Sequence, residues 1–77
     1  MKIVISKSAK KALEQLDAPT KQRIKKGIYK LPDGDVKKLQ GYTNAYRLRI
    51  GDYRILYDFS DKIEITNILP RGSAYKK

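Results

Sequence analysis

The chain has 77 residues with no cysteine and no histidine, which bounds it to one domain and excludes a disulfide framework or a Cys/His structural metal. Hydrophobic residues make up 40% and charged residues 34%, the balance of a soluble fold with a lean core, and no apolar stretch approaches the roughly 20 residues that span a bilayer. Eighteen Lys+Arg against eight Asp+Glu leave a formal net charge of +10, a field that draws polyanions: nucleic acid, an acidic protein or an anionic membrane.

Residues 2–5, KIVI, read as a short strand. Met1-Lys2 leads into only three apolar residues before Ser6 and Lys7, so no signal peptide is expected and the cytoplasm is the expected compartment. Ser6 is placed as an N-cap, and Ala9, Ala12, Leu13 and Leu16 then recur at helical spacing. Asp17-Ala18-Pro19 breaks this helix and starts another, whose apolar face carries Ile24, Gly27, Ile28 and Leu31. The short break predicts an antiparallel helical hairpin. Neither helix carries Trp or Phe on its apolar face, which argues against a membrane-surface role. Pro32-Asp33-Gly34-Asp35 ends the second helix, and Val36 to Gly41 reads as a connecting loop with room for one helical turn.

After this loop the period changes to that of strands. Residues 43–50, 53–59 and 62–69 alternate, and Gly51-Asp52 and Ser60-Asp61 are short enough to make both junctions hairpins. Pro70-Arg71-Gly72 ends the sheet. The expected fold is α+β: a two-helix antiparallel hairpin packed on one face of a mainly antiparallel four-stranded sheet, in the order β-α-α-β-β-β.

One stretch, AYRLRIGDYRILY at 45–57, carries the functional signal. Tyr46, Leu48, Ile50, Tyr53 and Ile55 belong to the face under the helices, leaving Arg47, Arg49 and Arg54 on the open face. A hairpin centred on Gly51-Asp52 sets Arg49 opposite Arg54, and like charges directly across a strand pair repel. Glu64 or Asp58 can neutralise one of these arginines but not the cluster. A bound polyanion resolves the repulsion, because guanidinium forks match phosphate oxygens bidentately. Tyr46, Tyr53 and Tyr57 count as packing. Tyr75 follows Arg71 by four residues beyond the last strand, where a ring could stack on an unpaired base or serve in proton transfer. Taken alone, the pairs Lys10-Lys11, Lys25-Lys26 and Lys37-Lys38 read as solvated surface.

The whole chain resembles the RelE toxins of bacterial and archaeal toxin–antitoxin pairs. The likeness runs from ISKSAKKALEQLDAPTKQRIKKGIYKL through KKLQGYTNAYRLRIGDYRILYDF to ILPRGSAY, and the Tyr-Arg-Leu-Arg and Gly-x-Tyr-Arg-Ile-Leu-Tyr elements are its most specific part. The resemblance implies a single toxin domain over residues 1–77 that enters the ribosomal A site and cuts the mRNA codon there. In such toxins the RNA 2′-hydroxyl attacks the adjacent phosphate, with no metal and no other cofactor. Arg54 then matches the arginine that stabilises the phosphorane, and Arg71 the one near the leaving oxygen. Tyr75 matches the tyrosine that orients the codon, while Arg47 and Arg49 stand where relatives carry basic, often lysine, catalytic residues. Lys25, Lys26, Lys37, Lys38 and Lys76 are expected to hold ribosomal and messenger RNA. The implied partners are an acidic cognate antitoxin, the ribosome and mRNA. With no histidine and with arginines that stay protonated, either Tyr75 or solvent accepts the 2′-hydroxyl proton. Two other functions fit the superfamily: a ParE-like poison of DNA gyrase, and a non-catalytic module that only pairs with its antitoxin.

Overall fold

The structure, a computed structural model, describes residues 2–70. The elements are β1 (Ile3–Ile5), α1 (Lys7–Glu14), α2 (Ala18–Tyr29), β2 (Val36–Lys38), β3 (Ala45–Ile50), β4 (Tyr53–Phe59) and β5 (Ile63–Pro70). Both helices start where a side chain satisfies a free backbone donor of the first turn. Ser6 Oγ accepts from the Ala9 amide at 3.2 Å. Asp17 accepts from the Thr20 hydroxyl at 2.8 Å and from the Thr20 amide at 3.2 Å, and these bonds hold its carboxyl below the usual carboxylate range.

The strands form one sheet in the order β1-β5-β4-β3-β2. Only β1, which pairs with β5, is parallel to its neighbour. The sheet has five strands where four were expected: residues 36–38, read from sequence as part of a loop, are an edge strand with Val36 opposite Leu48 and Lys37 opposite Arg47. Three residues with one apolar side chain are too short to display a period of two, so pairing with β3 makes this strand.

The central hairpin has Arg49 opposite Arg54 and Ile50 opposite Tyr53. Gly51 sustains the turn with φ +54°, and a Cβ there would lie 2.9 Å from Arg23 Nη2. Between β4 and β5 the register shifts: Leu56 pairs with Asn67, but Tyr57 pairs with Ile65. Thr66 is the extra residue of this bulge. Its hydroxyl donates to Leu56 O at 3.1 Å, and its carbonyl accepts from Ser6 Oγ at 3.2 Å and Ser8 Oγ at 3.3 Å. The bulge therefore ties the start of α1 to the sheet. It also lets Ile65 and Ile68, three residues apart, face the core together; strict alternation would put them on opposite faces.

The core lies between the helices and one sheet face. Ala9, Leu13, Ile24 and Ile28 of the helices meet Leu48, Ile55, Tyr57, Ile63, Ile65 and Ile68 of the strands. Gly27 lets α2 approach closely, since a Cβ there would collide with Ile50 Cδ1 and come within 3.1 Å of Ile50 Cγ1. Tyr57 is buried beside Tyr46, ring centroids 5.6 Å apart, and burial pushes its phenol above the ordinary tyrosine range. The Tyr57 hydroxyl is buried with no hydrogen-bond partner among the described residues. An unpaired buried hydroxyl is destabilising, so Tyr57→Phe is expected to raise stability by about 1 kcal/mol. Urea unfolding checks this; a loss of stability would mean that the hydroxyl is bonded.

Candidate functional site on the arginine face of the sheet

The face away from the helices carries two arginines of β3 and one of β4. Arg47 and Arg49 share it by strand alternation, and Arg54 joins them because it pairs with Arg49. Lys37 of β2 enters the same face opposite Arg47. Four cationic side chains from three adjacent strands are thus gathered at one end. At the other end Asp58 sits across from Glu64. Asp58 is four residues beyond Arg54 on the same strand, about 13 Å at the rise of a β-strand, but its β3 partner is Ala45, which sets it diagonally across from Arg47.

The three arginines differ in depth. Arg54 is buried, with 8% of its surface exposed, whereas expectation from alternation alone left it on an open surface. It sits on a central strand, flanked by β3 and β5, with Leu69 as its β5 partner. A guanidinium held this way loses little further freedom on meeting an anion. Arg49 is half-exposed at the rim, and Arg47 is mostly covered.

The acid that balances the cluster comes from the turn before β2. Asp35 Oδ2 accepts from Arg49 Nε at 2.8 Å, and its Oδ1 lies 3.6 Å from Arg47 Nη1. The Asp35 carbonyl also accepts from Arg47 Nη1 at 3.3 Å and from the Arg49 amide at 3.0 Å. Sequence reading overlooked this residue, having compared the arginines only with acids on the strands themselves. The signal is its position: once Val36 pairs with Leu48, the preceding residue must lie beside Arg49.

The lysines named from sequence do not form one surface with the arginines. Lys37 faces them, whereas Lys38 pairs with Tyr46 on the other face. Lys25 and Lys26 belong to α2, on the opposite side of the sheet. Lys25 lines a groove of about 490 Å³ between the helices with Lys10, Lys21, Leu13 and Tyr29. Arg71, Tyr75 and Lys76, expected to complete the site, lie outside the described residues. Among the described residues, no group of three or more His, Cys, Asp or Glu side chains is placed to hold a metal, and no helix is long and apolar enough to cross a membrane.

A small antiparallel sheet backed by a helical hairpin and armed with a cationic face defines a class that comparison with known proteins makes specific. Residues 3–75 match the family described as the ParE toxin of the type II toxin–antitoxin system parDE. Toxin RelE3 of Methanocaldococcus jannaschii is 33% identical over 84 residues, covering 97% of this chain and 96% of that protein. The toxin in the crystal structure of the RelB–RelE antitoxin–toxin complex from Methanococcus jannaschii superposes with a TM-score of 0.80 at 30% identity, covering 94% of each chain. The archaeal RelE–RelB complex from Pyrococcus horikoshii gives a TM-score of 0.75 at 32% identity, covering 92% of this chain and 94% of the other. The chain belongs to the RelE-type toxins of the RelE/ParE toxin–antitoxin superfamily.

Proposed function

We propose that this toxin is a ribosome-dependent, metal-independent endoribonuclease that cleaves the mRNA codon in the A site and so stops translation. The observation that carries the reading is the gathering of Arg47, Arg49 and Arg54 on the sheet face that the helices leave uncovered. The ribose 2′-hydroxyl attacks the adjacent phosphorus, and the phosphorane that forms holds more negative charge than the starting diester. Cations already in place stabilise that state more than the ground state, which is what raises a rate.

In this reading Arg54 and Arg49 grip the scissile phosphate from adjacent strands. Arg47, mostly covered beside Arg49, strengthens the field. Arg71 and Tyr75 take the roles that family resemblance implies, at the leaving oxygen and against the codon. Lys25, Lys26, Lys37, Lys38 and Lys76 contribute attraction to ribosomal and messenger RNA, a contribution that salt screens. The partner that restrains the toxin is an acidic cognate antitoxin in the cytoplasm, drawn to the net charge of +10; the neighbouring structures are themselves RelE–RelB complexes.

The matched family model is that of ParE toxins, which gives a second reading, a poison of DNA gyrase. A gyrase binder has no need of a clustered phosphate site. Purified toxin incubated with programmed ribosomes and, in parallel, with gyrase and relaxed plasmid separates the two. Cut message with normal supercoiling is the expected result. Intact message with blocked supercoiling would establish the gyrase reading, and no effect on either would leave an antitoxin-pairing module.

A further inference from the structure

We propose that Asp35 is the general base of the cleavage reaction, an inference that rests on the endoribonuclease reading above. Attack by a 2′-hydroxyl requires that its proton go somewhere as the oxygen–phosphorus bond forms. The chain has no histidine, and guanidinium groups have no acceptor; to Tyr75 and solvent, the acceptors that the family resemblance leaves, the described residues add a third. Tyr57 is buried on the helix side of the sheet, and its phenol is pushed further from ionisation by that burial. Among the described residues, the carboxylate in contact with the arginine cluster is that of Asp35.

Its geometry suits the task. Oδ2 is held by Arg49 Nε at 2.8 Å, which fixes the direction of the carboxylate. Arg49 is the cross-strand partner of Arg54, so a phosphate bridging those two guanidiniums shares Arg49 with Asp35. Adjacent strands lie about 4.8 Å apart, and the ribose next to such a phosphate falls within reach of the carboxylate. The Asp35 side chain is 49% exposed, leaving an oxygen lone pair open to an incoming hydroxyl. The other charged groups on this face are Arg47 on β3, Lys37 on β2 and Arg54 on β4, with Asp58 and Glu64 toward its other end and Asp33 in Asp35's own turn. The same cations stabilise the developing 2′-oxyanion, which favours the transfer.

The step balances as follows. The proton passes from O2′ to an Asp35 carboxylate oxygen while O2′ bonds to phosphorus. The phosphorus–O5′ bond breaks, and O5′ takes a proton from water. The products are a 2′,3′-cyclic phosphate and a free 5′-hydroxyl, and Asp35 returns its proton to solvent.

Asp35→Asn, measured in single turnover on programmed ribosomes across about pH 7 to 8, tests this. Wild-type rates should be nearly flat there, because carboxylates as a class are already ionised. The variant should cleave on the order of a hundredfold or more slowly, with a rate that climbs about tenfold per pH unit as hydroxide replaces the base. It should bind programmed ribosomes at least as tightly, since a negative charge has left a cationic face, and its affinity for antitoxin reports that it folds. Asp35→Glu, which keeps the carboxylate, should recover part of the rate and the flat profile. A slower Asp35→Asn with the wild-type pH profile would make Asp35 a positioning residue for Arg49, and a rate within threefold of wild type would remove it from the chemistry; either overturns the proposal. Wild-type cleavage in the same experiment is the control. If it is absent, the endoribonuclease reading fails and takes the base with it; if present, the outcome falls on Asp35 alone.

Discussion

Arg54→Ala is expected to slow cleavage of ribosome-bound message by about a hundredfold to a thousandfold, equivalent to about 2.7–4 kcal/mol of lost transition-state stabilisation. The residue projects from a central strand and is 8% exposed, so its charge acts at short range through little water. Affinity for the ribosome should fall much less, because attraction to RNA is spread over lysines such as Lys25, Lys26 and Lys37. The cost should therefore appear in the single-turnover rate at saturating ribosome. Arg54→Lys keeps the charge and loses the planar fork, and should recover only part of the rate. Antitoxin affinity and circular dichroism of the same variants report whether the fold survives the truncation. If bound ribosomes are cut at the wild-type rate, the arginine face anchors RNA and does not act on the phosphate.

Ile65→Ala has the largest expected effect on stability, a loss of about 2–5 kcal/mol. Ile65 is fully buried, pairs with Ile5 of β1 and Tyr57 of β4, and its carbonyl accepts from the Ser6 amide at 2.9 Å. The shortened side chain leaves a void where three elements meet. A chain of this size has a thin margin within the 5–15 kcal/mol typical of folded domains, so the free variant should lose about half its stability. Urea unfolding, read as the midpoint at constant slope, measures this. Antitoxin in excess should raise the midpoint again by mass action. Ile3→Ala, half-buried on the edge strand, should cost clearly less; equal losses at both sites would contradict this account of the core.

The same residues explain what could be read in the sequence. The central hairpin was legible because Gly51-Asp52 marks its turn and alternating side chains fix its register; a slip of one residue would bury Arg49 and expose Leu48. The helical hairpin was legible through Ser6 and Asp17, whose side chains have few other local uses. The edge strand at 36–38 was not, since Val36-Lys37-Lys38 has no period of its own and owes its conformation to Leu48 and Arg47 across from it. The bulge at Thr66 arises from pairing between strands, so the core facing of Ile68 does not follow from alternation along β5. At the candidate site, alternation placed Arg47, Arg49 and Arg54 on one face correctly but carries no information on depth, so the burial of Arg54 was missed. Asp35 was missed for a related reason: its contact with Arg49 spans 14 positions and depends on the strand that the sequence concealed.

The chemistry of the cut ends tests the central claim most directly. Toxin added to ribosomes programmed with a defined message should yield a break inside the A-site codon. The upstream fragment should end in a 2′,3′-cyclic phosphate and the downstream fragment should begin with a 5′-hydroxyl, with the same products in the presence of a metal chelator at ribosome-preserving magnesium. A downstream 5′-phosphate, or equal cleavage of the naked message, would contradict an arginine-stabilised attack by the neighbouring 2′-hydroxyl on the ribosome.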